Sequence, residues 1–251
     1  MPPEPMSGHR PVGHQRHHRH YSRLLAICMG LMGCMALPFP WSRLASIGYF
    51  LFGMALIRGL GQPPAQARVG VWPRRIYQLL GVAALAVWLL WSLTPVAMRS
   101  TGIPVIVLWT LFSGWSAKRL IGLLGSERQV NGLVLSGALA GYLMLGLTAG
   151  LLFCALETIH PGSFSGVQIQ PPGSSSIMAV WGQDFVRLNY FAFVTLTTTG
   201  YGDVVPKTPL AQMASVSVAV IGTLYVAVVM GLLISRLMLK EARQHDDAPS
   251  P

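Results

Sequence analysis

Asp184-Phe185-Val186-Arg187-Leu188-Asn189-Tyr190-Phe191-Ala192-Phe193-Val194-Thr195-Leu196-Thr197 runs directly into Thr198-Thr199-Gly200-Tyr201-Gly202-Asp203. The first fourteen residues are apolar and aromatic behind an acid of the kind that caps helix N-termini. As a helix they extend about 21 Å, short of a hydrocarbon core about 30 Å thick. A long apolar run lies on either side, Val130 to Leu156 before and Leu210 to Leu239 after. If both runs cross a bilayer, the loop between them starts and ends on one face, so the short helix must dip in and return. Non-helical backbone at membrane depth persists only when buried in protein or lining a wet cavity.

The returning stretch has the residue types that cation dehydration requires. A bare monovalent ion needs a cage of oxygens in place of its hydration water, and rings of backbone carbonyls supply one. Carbonyls that face one axis in succession require backbone conformations that are costly for residues with a Cβ, and Gly200 and Gly202 adopt them cheaply. Thr198 adds a hydroxyl at the inner end. The helix before it turns the negative end of its dipole toward the cavity.

Thr198-Thr199-Gly200-Tyr201-Gly202-Asp203 resembles the signature filter of the potassium channel family, and the likeness covers roughly residues 130 to 239. The resemblance implies ion-binding roles for Thr198, Thr199, Gly200, Tyr201 and Gly202, with support from Thr197, Asp203 and Tyr190. The Tyr201-Gly202 step implies potassium. Thr199 stands where Val is commonest, so an extra hydroxyl bears on fine selectivity. Asp203 is similar to the family's outer-mouth acid, and Tyr190 takes the place of the aromatic that bonds it. Val194 replaces a Glu found behind the filter in some bacterial members. Gly222 has the position of the family's hinge glycine, although a Gly in a span serves close packing equally well; Gly231 is an alternative bending point. The implied assembly is a homotetramer, because one filter strand cannot surround an ion. Potassium is the permeant ion, and no cofactor is implied.

Outward from this loop, further apolar segments run Leu24 to Leu37, Leu44 to Leu60, Ile76 to Met98 and Gly102 to Ala117. The fold class expected is an all-α membrane protein of six transmembrane helices plus the re-entrant helix and extended filter. Composition agrees: the chain is 52% hydrophobic and 10% charged, with mean hydropathy +0.52, against about a quarter charged in soluble domains. With the N-terminus inside, six spans leave only Arg43, Arg99, Arg187 and Lys207 outside and put the other 14 of 18 basic residues within, as the positive-inside rule requires. A re-entrant hairpin from the first two segments satisfies the same count. The formal charge of +10 therefore reads as attraction to anionic lipid. No basic stripe interleaved with aromatics suggests nucleic acid.

The expected layout is a disordered basic tail at 1–21, a four-helix membrane domain at 22–125, a pore domain at 126–240 and a short tail at 241–251. Within the pore domain the outer helix occupies 130–156, a turret 157–183, the pore helix 184–197, the filter 198–203 and the inner helix 209–239. His14, His17, His18 and His20 in the first tail are candidates for metal binding or pH sensing, against a plain flexible arm near headgroups. A signal peptide is a rival reading of the start. Lys118 to Leu124 reads as an interfacial helix or as the ragged end of the fourth span. The first four segments resemble a voltage sensor in position only, because no charge lies inside Gly102 to Ala117. Weak voltage dependence is expected.

Cys28, Cys34 and Cys154 lie in apolar runs without metal spacing and read as reduced thiols. Twelve residues follow Leu239, too few for a cytosolic regulatory domain. By resemblance, that small size suggests a prokaryotic plasma membrane, with both termini cytoplasmic. Rival functions are a modulatory subunit that joins other pore proteins, and a secondary transporter, which would show paired broken helices. No Ser/His/Asp or metal cluster in the spans suggests an enzyme.

Overall fold

The chain, as a computed structural model, is described over residues 13–37, 43–61, 71–93, 99–126, 132–167, 184–236 and 238. It is mostly helical. Four helices come first: α1 (Gly13–Met35), α2 (Arg43–Leu60), α3 (Val71–Leu93) and α4 (Arg99–Ser126). Then follow α5 (Gly132–Ile159), strand β1 (Phe164–Ser165), helix α6 (Phe185–Leu196), strand β2 (Val205–Pro206) and α7 (Pro209–Leu224). A π-helical stretch, Tyr225–Met230, carries α7 onward to Arg236. Gly132–Ile159 and Pro209–Arg236 are long and apolar enough to cross a membrane.

Two boundaries differ from expectation. Helix α1 begins at Gly13, inside the stretch assigned to a disordered tail, and Tyr21 is buried against α5. Once the apolar turns of α1 form, each further residue adds a backbone bond at little cost, and Gln, His and Arg do not break a helix. Helix α4 runs unbroken through Lys118 to Leu124, with Leu120 and Leu124 buried, so this stretch continues the fourth segment and is not a separate interfacial helix. Residues 1–12, 168–183 and 239–251, and with them most of the expected turret and the second tail, lie outside the described residues.

Helix α5 is the centre of the fold, packed against α4, α1 and α6. Its window of membrane length is 61% buried, against 22% for Pro209–Arg236. The helix ends sort into two levels. At the level opposite the Gly200-Gly202 loop, Tyr21 of α1 and Leu124 of α4 meet α5 at Gly137, and Arg236 Nη1 donates to the Gly125 carbonyl at 3.4 Å. At the loop level, Tyr49 of α2 meets Phe185 of α6 edge to face, ring centroids 5.4 Å apart.

The first four helices are tied by aromatic and polar contacts. Tyr77 of α3 donates its hydroxyl to the Leu56 carbonyl of α2 at 3.1 Å and lies 2.9 Å from Ser116 Oγ of α4. The Arg119 guanidinium sits 4.4 Å over the Tyr77 ring, a cation–π contact worth about 1–2 kcal/mol when partly desolvated.

Candidate functional site

Helix α6 seats itself in a groove of α5 made by two glycines one turn apart. A Cβ at Gly146 would enter the Phe193 ring, and one at Gly150 would enter the Asn189 side chain. Small residues let two helices approach this closely. Behind them Phe153 of α5, Phe164 of β1 and Phe191 of α6 form a triangle with centroids 5.1 to 5.5 Å apart. Tyr142 of α5 donates to the carbonyl of Leu196, the last residue of α6, at 3.3 Å.

The end of α6 shapes the loop. Thr199 N–H donates to the Val194 carbonyl at 2.9 Å, and Thr198 N–H donates to the Thr195 carbonyl at 3.1 Å. These are the two bonds of a Schellman cap, and Thr198 takes the left-handed position where Gly is usual, with φ +58°. For a β-branched residue that conformation is a true outlier, costing about 1–2 kcal/mol. The expectation for Gly200 and Gly202 matches their φ of +60° and +79°; strain at Thr198 has no local signal in the sequence.

Thr197 Oγ1 donates to the Phe193 carbonyl at 2.7 Å and lies 2.9 Å from Thr199 Oγ1. A hydroxyl has one hydrogen, and the carbonyl must take that of Thr197. Thr199 is therefore the donor between the two, and its extra hydroxyl is tied back toward α6. Thr197 to Gly202 are exposed in the single chain, Tyr201 at 70%.

Tyr190 stacks on Tyr201 with centroids 6.3 Å apart and planes 3° from parallel, and its hydroxyl donates to Asp203 Oδ1 at 3.4 Å. Desolvation, then the Asp203 carboxylate, raises the Tyr190 phenol above its ordinary pKa. Asp184, expected to cap α6, has helical backbone angles and makes no capping hydrogen bond. A cap residue needs extended backbone to swing its carboxylate over the first N–H groups, and Asp184 is already inside the turn.

Beyond Asp203 the chain is clamped. β1 pairs antiparallel with β2, Phe164 opposite Pro206 and Ser165 opposite Val205, and Lys207 N–H donates to the Ser163 carbonyl at 2.7 Å. Glu157, 5% exposed at the end of α5, holds the other side of this clamp. Its Oε1 accepts from Gly162 N–H at 2.7 Å and its Oε2 from Phe164 N–H at 3.0 Å. Sequence reading misses Glu157. The available signal is a single acid ending a 28-residue apolar helix. Thr208 then caps α7, accepting from Ala211 N–H at 3.4 Å, with Pro209 at the first helical position.

Gly222 is buried on α7 where a Cβ would strike the Leu196 carbonyl oxygen. That close approach accounts for a glycine by packing. The irregular part of the helix lies further on, at Tyr225–Met230, and ends at Gly231. A Cβ on Gly231 would meet nothing within 4 Å.

Residues 139–238 match a protein-family model described as "Ion channel". A 49-residue stretch is 41% identical to two pore potassium channel c of Oryza sativa subsp. japonica, covering 20% of this chain and 11% of the relative. The matched stretch is thus about a tenth of that relative's length. No solved structure matches the chain.

Proposed function

We propose that the chain is a subunit of a potassium-selective channel that conducts passively as a homotetramer in the cell membrane, with both termini cytoplasmic. The observation that carries this reading is the loop Thr198–Gly202. It is exposed, turns through two positive-φ glycines, and hangs from a short buried helix between two long apolar helices. In this reading the carbonyls of Thr198, Thr199, Gly200 and Tyr201, with the Thr198 hydroxyl, replace the hydration shell of K+. Gly202 frees the backbone at the outer mouth. The negative end of α6 favours a cation below the filter.

Three observations support assembly with further copies of the chain, four in this reading. One strand offers carbonyls from one side only. Tyr201 stacks on Tyr190 and still leaves 70% of its surface open. Helix α7 leaves Leu210, Met213, Val216, Val220 and Leu224 exposed, an apolar face that fits a neighbouring inner helix or the pore wall. Weak voltage dependence belongs to this reading, supported by the placement of Lys118 and Arg119 toward the inner end of α4, the latter held over Tyr77. The ion channel match over 139–238 and the potassium channel named among the relatives agree with this reading.

Purified chain in planar bilayers tests it. Under bi-ionic K+ and Na+ gradients the reversal potential should follow K+, and the purified mass should correspond to four chains. Equal reversal potentials for the two ions would refute selectivity. Absence of flux from the chain alone would favour the modulatory-subunit reading.

A further inference from the structure

We infer that a cleft at the end opposite the filter, between α1, α2 and α4, is a binding site for a phospholipid with an anionic headgroup. The cleft has a volume of about 150 Å³. Its rim carries His20 and Arg23 from α1 and Arg58 from α2, all exposed. Its walls include Leu24, Leu60 and Leu123.

Charge and shape both select the ligand. Among the described residues the carboxylates are Glu157, Asp184 and Asp203. They sit at the filter end of α5, the start of α6 and the filter mouth, so none of the three belongs to this rim. Guanidinium groups bind phosphate oxygens through paired N–H donors, with more geometric fit than a lysine offers. Below the rim the lining is mostly aliphatic, which a free phosphate cannot use and a glycerol backbone or acyl chain can. Basic side chains at the cytoplasmic leaflet are drawn to anionic lipid in general. Here two of them, Arg23 and Arg58, converge with the polar His20 on one concavity with an apolar floor. The assignment to that leaflet rests on the orientation proposed above.

The test is native mass spectrometry of the full chain in detergent, with equal amounts of phosphatidylglycerol and phosphatidylcholine added. Phosphatidylglycerol should be retained preferentially. Arg23→Gln and Arg58→Gln should each lower that preference about fivefold. The pair Arg74→Gln/Arg75→Gln removes exposed charge of the same sign outside the cleft and should leave the preference intact. Gly59 lines the cleft, and a Cβ added there would meet no atom within 4 Å. Gly59→Leu should therefore fill the site and reduce retention of both lipids without altering charge. Equal retention of the two lipids by the unaltered chain, equal losses in the control pair, or full displacement by millimolar inorganic phosphate would overturn the proposal. Potassium flux from the same preparation tests the channel function separately: selective flux without lipid preference sinks the lipid site alone.

Discussion

Replacing Glu157 by Gln should loosen the β1–β2 clamp while leaving the loop Thr198–Gly202 in place. The carboxylate accepts two backbone N–H groups, Gly162 at 2.7 Å and Phe164 at 3.0 Å, and is 5% exposed. Hydrogen bonds to a charged group contribute about 1.5–3 kcal/mol each. Gln retains one acceptor oxygen and turns an amide donor toward the other N–H. One bond is lost and two donors face each other, so the expected destabilisation is about 3 kcal/mol. That corresponds to a shift on the order of a hundredfold in the balance between closed and open clamp. Hydrogen exchange reads the shift directly. The Phe164 amide should lose protection first, followed by Lys207, whose N–H is bonded across the clamp to the Ser163 carbonyl. If the proposed channel reading holds, currents should decay faster during sustained opening, because β2 begins two residues after Asp203. Wild-type protection at both amides in the Gln variant would refute the reasoning, whatever the currents do.

Gly202→Ala should abolish selective conduction, since a Cβ obstructs the φ of +79° at that position; a wild-type reversal potential would place the filter elsewhere. Gly150→Ala should lower thermal stability by about 1–3 kcal/mol, because its Cβ enters the Asn189 side chain. Gly114→Ala, whose Cβ would lie 3.6 Å from Thr148 Cγ2, should be neutral or stabilising by up to about 1 kcal/mol. Unfolding in detergent distinguishes the two, and equal melting points would discredit the α5–α6 groove. Open probability should vary only shallowly with voltage. Each charge that crosses the field draws about 2.3 kcal/mol per 100 mV, and Arg119 is pinned over Tyr77. A steep curve that flattens in Lys118→Gln/Arg119→Gln would show α4 to be a sensor.

What is legible in the sequence is what depends on neighbours along the chain. The short helix expected at 184–197 lies at Phe185–Leu196, because its length and apolarity are local properties. The positive φ of Gly200 and Gly202 follows expectation for the same reason. That of Thr198 does not, because nothing about a threonine announces a left-handed cap; the bonds to Val194 and Thr195 and the descent of the loop impose it. The start of α1 escapes a reading that equates polarity with disorder, whereas burial of Tyr21 against Gly137 joins positions over a hundred residues apart. Glu157, the β1–β2 clamp and the Gly146–Gly150 groove are likewise relations across the fold, and no periodicity encodes them. Gly222 shows the reverse case: position suggests bending, and the surroundings supply a reason in packing.

The π-helical stretch Tyr225–Met230 has a consequence for register. Such a turn accommodates one residue more than an α turn, so everything after it is displaced by one position from where a continuous α-helix would put it. One residue is about 100° of rotation. If the stretch relaxed to α geometry, Leu233, now buried, would rotate off its present face, and one of its exposed neighbours, Leu232 or Ile234, would turn into its place. The contact of Arg236 with the Gly125 carbonyl would break in the same step. Tyr225 opposes that change, since its hydroxyl is bonded to the Ala138 carbonyl of α5. The last turns of Pro209–Arg236 are thus held in register from both sides, by Tyr225 at the start of the stretch and Arg236 beyond it.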